Sequence, residues 1–202
     1  MKKYRFGVDI DGTVTSPATF IPHINKHFNK NLTLDDITEY ELSAAAGIAK
    51  EDFWKWMHVN EQEIYETSEL AIDAKLILSQ WKESHELYYI SARPADYTEI
   101  TIDWFNRFQV PYDHIELIGK HNKLETVKNH KIDLFFEDKH DNACTIAEDC
   151  GIPVILMDTP YNQDPLHSFV YRVNNWLEAK EVAESLMGNT IGKRQIDVFS
   201  GK

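Results

Sequence analysis

Acidic side chains recur in this 202-residue chain where short apolar runs give way to polar turns. Asp9 and Asp11 stand two apart at the end of Tyr4–Ile10, just before Gly12-Thr13. Glu137 and Asp138 close the run Ile132–Phe136, with Asp141 and Asn142 shortly after. Ser91, Ala92 and Arg93 follow the run ELYYIS, and Lys120 and Lys123 precede the run that ends at Glu137. Gathered in one place, four carboxylates repel by about 4 kcal/mol per pair at 4 Å and an effective dielectric near 20. They would protonate or splay apart unless a cation joined them. Oxygen donors without histidine or thiolate favour Mg2+, which can in turn hold a phosphate.

The elements that must gather these residues are legible as well. Tyr4–Ile10, Glu86–Ser91, Ile132–Phe136 and Pro153–Met157 are brief apolar runs ending at polar residues, as buried strands do. Helical patterns lie between them at Tyr97–Phe108, Leu124–Asn129 and Asn142–Cys150, the last stopped by Gly151. Strands alternating with helices predict an α/β fold, a Rossmann-like parallel sheet flanked by helices. Ligands in such sheets bind beyond the carboxyl ends of the strands, where the residues above are expected. Val170–Val173 adds a candidate edge strand. Residues 16–74 contain no strand run. They read as helices at Pro22–Asn29, from Thr33-Leu34-Asp35-Asp36 with a capping pair, and at Lys50–Glu66. The expected organisation is a core of residues 1–15 and 75–202 with a helical insert over 16–74. The segment after Met187 is expected to be a loosely held tail.

Composition limits the partners. With 21 Lys+Arg against 33 Asp+Glu, the formal charge is 21 − 33 = −12, which repels duplex nucleic acid and anionic membranes. Acting on a phosphate compound then requires a local cation. No apolar run approaches the roughly 18 residues of a membrane span, and Asp9 and Asp11 interrupt the apolar N-terminus too early for a signal peptide. Cys144 and Cys150 are the only cysteines; on one helix they would lie about 9 Å apart, too far for a disulfide. A reduced compartment, the cytoplasm, is expected.

The string FGVDIDGTVT resembles the first motif of the haloacid dehalogenase superfamily of phosphohydrolases. Ser91 resembles the second motif, Lys120 or Lys123 the third, and FFEDKHD the fourth, in the family's order. Lys123 stands nearer the third motif's usual position, while Lys120 directly follows Gly119. The resemblance implies that Asp9 attacks phosphorus to form an aspartyl-phosphate and that Asp11 is the acid–base partner. It implies that Ser91, with Ala92 and Arg93 beside it, and the lysine hold phosphate oxygens. It implies that Asp9, the Asp11 carbonyl and Asp138 bind Mg2+, with Glu137 beside them and Asp141 or Asn142 on a metal-held water.

The insert resembles the helical C1-type cap that selects small substrates. ISARPADYTEITIDWF, DTPYNQ and RVNNW resemble the bacterial 5'(3')-deoxyribonucleotidase group. The implied activity is a Mg2+-dependent phosphomonoesterase acting on a small phosphorylated metabolite, foremost a (deoxy)nucleoside monophosphate. The alternatives are a sugar phosphate or phosphoserine, or a non-catalytic scaffold of the same fold. Phe53, Trp54, Trp56 and Met57 could stack on a base, but packing within the insert is the simpler expectation. Arg93 would reach phosphate or pair with a surface acid. His23 and His27 have a zinc-like spacing without a third ligand and are expected on a solvated face; His140 is expected as a loop residue beside the acids.

Overall fold

Strands buried on both faces are apolar through their middles, and the central strands follow that pattern, carrying their polar residues at the ends. The computed structural model describes residues 2–199, with side chains to residue 188. It places β1 (Arg5–Val8), β2 (Glu86–Ser91), β3 (His114–Leu117), β4 (Leu134–Glu137), β5 (Val154–Met157) and β6 (Val170–Val173) in one sheet, ordered β3-β2-β1-β4-β5-β6. Every pairing is parallel. β3 was not expected. Its sequence HIEL alternates polar and apolar residues because it lies at the sheet edge and is only half-buried, so it lacks the apolar run of a central strand.

Helices α4 (Ala74–Lys82), α5 (Thr98–Phe108) and α8 (Trp176–Phe199) bury their apolar stripes on one face of the sheet, through residues such as Trp81, Trp104 and Trp176. On the other face, α6 (Leu124–His130) and α7 (His140–Cys150) bury Val127, Ala143 and Ile146. α7 ends where expected, with Gly151 in the left-handed conformation at φ 65°. Both cysteines are free. The backbone of the tail expected after Met187 continues α8 to Phe199 instead, and its side chains from residue 189 lie outside the described residues.

The chain leaves the core after Val14 and returns at Ala71. Two backbone hydrogen bonds join the crossings: Ser16 N–H to Glu69 O at 2.8 Å, and Ala71 N–H to Val14 O at 2.9 Å. Between them lie α1 (Ile21–Phe28), a turn at Leu34–Asp36, the short α2 (Leu42–Ala45) and α3 (Lys50–Thr67). Asp36 Oδ2 accepts from the Thr33 backbone N–H at 2.7 Å and from its hydroxyl at 2.8 Å, so the expected capping pair forms. These helices share a small apolar cluster of their own around Ile24, Phe53, Trp56 and Ile64. The lower end of α3 is fastened to α5, because Trp104 Nε1 donates to Ser68 O at 2.8 Å.

Candidate functional site

Register assembles the site. Val8 pairs with Tyr89 on one side and Phe136 on the other, and the Asp9 N–H extends the ladder to Phe136 O at 2.9 Å. Asp9, Ser91 and Glu137 therefore emerge at nearly one level, beside the point where the chain switches direction across the sheet.

Asp9 Oδ1 accepts from Lys123 Nζ at 2.5 Å, and the same ammonium donates to Glu137 Oε2 at 2.8 Å. Lys123, Glu137 and Asp138 are each at most 2% exposed. Oxygens of Asp9, Glu137 and Asp138 lie within 4.8 Å of one another. Three buried carboxylates thus face one buried cation. Burial raises the Asp9 carboxyl to about 7 despite the opposing charge of Lys123. Burial and the charges of Glu137 and Asp9 push Asp138 well above the usual carboxylate range. Burial disfavours the Lys123 ammonium, yet Asp9 and Glu137 outweigh it and hold the group protonated beyond its ordinary value.

Asp138 Oδ2 accepts from the Tyr161 hydroxyl at 2.6 Å, whereas Oδ1 is buried without a partner. Gly12, at φ 82°, passes over this carboxylate so closely that a Cβ there would stand 2.4 Å from Oδ2. Only glycine satisfies both the dihedral and the clearance. An orphaned carboxylate oxygen, two neighbouring acids and no histidine or thiolate among the donors suit a hard divalent cation, so the residues fit Mg2+.

Asp11 meets a different environment. Arg93 grips it through a fork, Nε to Oδ2 at 2.8 Å and Nη2 to Oδ1 at 2.7 Å, while Nη1 donates to Thr101 Oγ1 at 3.1 Å. The Tyr65 ring of α3 lies 4.1 Å from the guanidinium carbon. Arg93 is 2% exposed, so its acid partner is not on the surface: it is the second aspartate of the DxD pair. The hydroxyl of Ser91 is buried and accepts from the Arg93 N–H at 3.2 Å, and Ala92 lines the cavity beside it. Of the two lysines, Lys123 meets the acids and Lys120 is exposed at the rim.

The cavity has a volume of about 530 Å3, within the range of small-molecule sites. Its floor is the acidic centre, and its walls include Phe20, Tyr40, Phe53, Trp54, Met57 and Tyr65 from the insert. Trp56 belongs to the insert's own core, as the packing reading expects, but Trp54 is 50% exposed and borders the cavity.

The chain matches the protein family described as 5' nucleotidase, deoxy (pyrimidine), cytosolic type C, over residues 4–188. It belongs to that family. Proteins of Halalkalibacterium halodurans and Bacillus subtilis, both named on inference as nucleotidases, are 55% identical over 179 residues and 54% identical over 175. The first alignment covers 89% of this chain and 92% of the relative, the second 87% and 91%. Among solved structures, a haloacid dehalogenase-like protein of Streptococcus pneumoniae superposes with a TM-score of 0.63 at 14% identity, covering 89% of this chain and 98% of its own. The protein YfnB of Bacillus subtilis, described as bound to magnesium, does so with 0.58 at 15%, over 90% and 99%. These two share the fold. The nucleotidase group that the sequence resembles is thus the family of this chain, which is a phosphoric monoester hydrolase. No helix among the described residues is long and apolar enough to cross a membrane.

Asn142 borders the acidic centre of this nucleotidase-family chain, and the other candidates lie outside it. The Asp141 side chain is 83% exposed and pairs with His140 Nδ1 at 3.2 Å, while Asn142 reaches Glu137 Oε2 at 3.5 Å. His140 Nε2 is engaged by Pro165 O at 2.9 Å. His23 meets Thr67, and His27 packs on Phe28 and Trp56, so the two do not act as a pair. Reasoning from motifs missed Tyr40, Tyr65, Lys139 and Tyr161. Lys139 Nζ stands 4.3 Å above the Tyr40 ring, which also meets Tyr161 at 5.8 Å. Tyr161 lies within DTPYNQ, a string that pointed to the nucleotidases without showing which of its residues reach the site.

Proposed function

We propose that this hydrolase is a Mg2+-dependent nucleotidase that removes phosphate from (deoxy)nucleoside monophosphates through an aspartyl-phosphate on Asp9. The observation that carries the proposal is the unequal setting of the two aspartates. Asp9 is buried against Lys123 at the closed end of the cavity, and Asp11 is held by Arg93 nearer the mouth. In this reading an Asp9 oxygen attacks phosphorus, the bond to the ester oxygen breaks, and Asp11 gives that oxygen its proton. A water then attacks the phosphoaspartate, Asp11 takes the water's proton, and inorganic phosphate leaves with Asp9 restored. Lys123 and Ser91, with the backbone at Ala92, receive the phosphate oxygens, and Lys120 serves the rim. Arg93 orients Asp11 through its fork and so acts as a positioning residue rather than a phosphate ligand. Asp9, Asp138 and the Asp11 carbonyl would hold Mg2+ with Glu137 beside them; when bound, the ion neutralises charge on the phosphoryl oxygens.

The insert, read as a cap over residues 16–74, supports the choice of substrate. Its aromatic and apolar walls suit a base and sugar, and a cavity of this size suits a small molecule. The two free cysteines agree with action in the cytoplasm. The test is phosphate release in Mg2+ from 5'- and 3'-nucleotides, sugar phosphates and phosphoserine, with Asp9→Asn as control. Selective release from nucleotides, abolished in the folded control, is expected. Equal turnover by the control would remove Asp9 as nucleophile, and preference for a sugar phosphate would remove the nucleotide.

A further inference from the structure

Away from the acidic centre, His114, Glu116 and His130 converge on the outer edge of the sheet. His114 and Glu116 are two apart on β3 and so share a face of the strand, and His130 is the last residue of α6, which packs over that face. His130 Nε2 lies 2.7 Å from Glu116 Oε2, and His114 Nε2 lies 3.3 Å from the same oxygen. The three ligand atoms are all within 4.8 Å of one another, and the imidazole centroids are 4.6 Å apart. The other carboxylate oxygen, Oε1, is anchored by the Thr126 hydroxyl at 3.3 Å. Tyr88 packs against both imidazoles, at 5.7 and 5.1 Å, and closes one side of the cluster. Burial opposes ionisation of Glu116, but the hydrogen bonds from His130 and His114 outweigh it and hold the carboxyl below its ordinary range.

We propose that these three residues form a second metal site, selective for a borderline divalent transition cation such as Zn2+. Two imidazole nitrogens and one carboxylate oxygen are the donor set of three-ligand zinc sites, and they differ in kind from the all-oxygen centre at Asp9. At Zn–N distances of about 2.0–2.1 Å, the edge of a tetrahedron is about 3.3 Å. His114 and Glu116 already stand at that separation, and His130 must withdraw by about half an ångström to reach it. On binding, each Nε2 gives its lone pair to the metal, and the imidazole proton resides on Nδ1. All three side chains are part-exposed, which leaves the fourth position to water. The site would clip β3 to the far end of α6, the helix that begins directly after Lys123, without touching the acidic centre.

The test is Zn2+ binding to the full chain by chelator competition in saturating Mg2+, with Co2+ absorption as a report on geometry. The wild type is expected to bind one Zn2+ under these conditions and to give an intense tetrahedral Co2+ spectrum. His114→Ala, His130→Ala and Glu116→Gln should each weaken Zn2+ binding at least about tenfold. They should abolish the Zn2+-dependent rise in Tm while keeping the wild-type Mg2+-dependent turnover. Absence of Zn2+ binding in the wild type overturns the proposal. So does wild-type affinity in all three variants, or Zn2+ binding that is lost only with Asp138→Asn.

Discussion

Lys123→Met isolates the electrostatics of the acidic centre. Methionine nearly matches the volume of the aliphatic stem, so the change removes the ammonium from between Asp9 and Glu137 with little cavity formation. Removing one partner of a buried ion pair costs about 3–5 kcal/mol. In a domain of this size, about 2–4 °C of Tm accompanies each kcal/mol, so the variant should melt about 6–20 °C lower in EDTA at pH 8. Protonation offers relief. Asp9 titrates at about 7 even with Lys123 present, and losing that cation moves it higher. A carboxyl raised in the folded state binds more protons folded than unfolded, so stability falls as pH rises towards the folded value. The wild type completes that fall near pH 7, whereas the variant continues to lose stability above it. The gap between the two should therefore widen from pH 6 to pH 8, by about 1.4 kcal/mol for each pH unit over which only the variant keeps the proton. Urea denaturation at both pH values measures this. A loss below about 1 kcal/mol at pH 8, or a gap that narrows as pH rises, would refute the reasoning.

Three further outcomes are expected. Because burial raises Asp9 to about 7 and pushes Asp138 well above the usual carboxylate range, Mg2+ must displace protons below neutrality. Titration calorimetry should show tighter Mg2+ binding at pH 8 than at pH 6, with a heat that depends on buffer ionisation; pH-independent affinity would contradict the burial. Gly12→Ala forces a Cβ into Asp138 at a positive φ, so stability should drop by more than about 1 kcal/mol and Mg2+ affinity should fall with it, both read by thermal shift. Tyr161→Phe deletes the hydrogen bond to Asp138 Oδ2 and leaves a second oxygen of a buried carboxyl unpaired, so it should weaken Mg2+ binding by about 10–100-fold, measured by titration, and lower stability by about 1–3 kcal/mol.

What was legible in the sequence follows from where each residue is buried. β1, β2, β4 and β5 are interior strands of a parallel sheet, so their apolar runs show both the strand and the polar residues at its end. β3 escaped because an edge strand has one wet side and can carry His114 and Glu116 in place of apolar residues. The convergence of Asp9, Glu137 and Asp138 could be anticipated from strand ends, whereas strand ends did not separate Lys123 from Lys120, because the lysine lies at the start of α6. The Arg93 fork could not be anticipated, since its partner is 82 positions earlier and their meeting depends on how β2 turns into α5. Tyr40 and Tyr65 were equally hidden: one lies in the bend before α2 and the other on α3, and nothing local in either stretch says which residues overhang a neighbouring sheet.

The two hydrogen bonds that tie Val14–Ser16 to Glu69–Ala71 have a mechanical consequence. Asp11 stands a few residues before the outgoing crossing, and Tyr65, resting on the arginine that grips Asp11, stands four residues before Glu69 on the returning one. Both the aspartate and the ring that backs its arginine are therefore held close to the crossings, so a shift of the crossings would disturb the stacking and the fork together. In the proposed reaction, a substrate that settles the insert would thereby also settle the aim of Asp11.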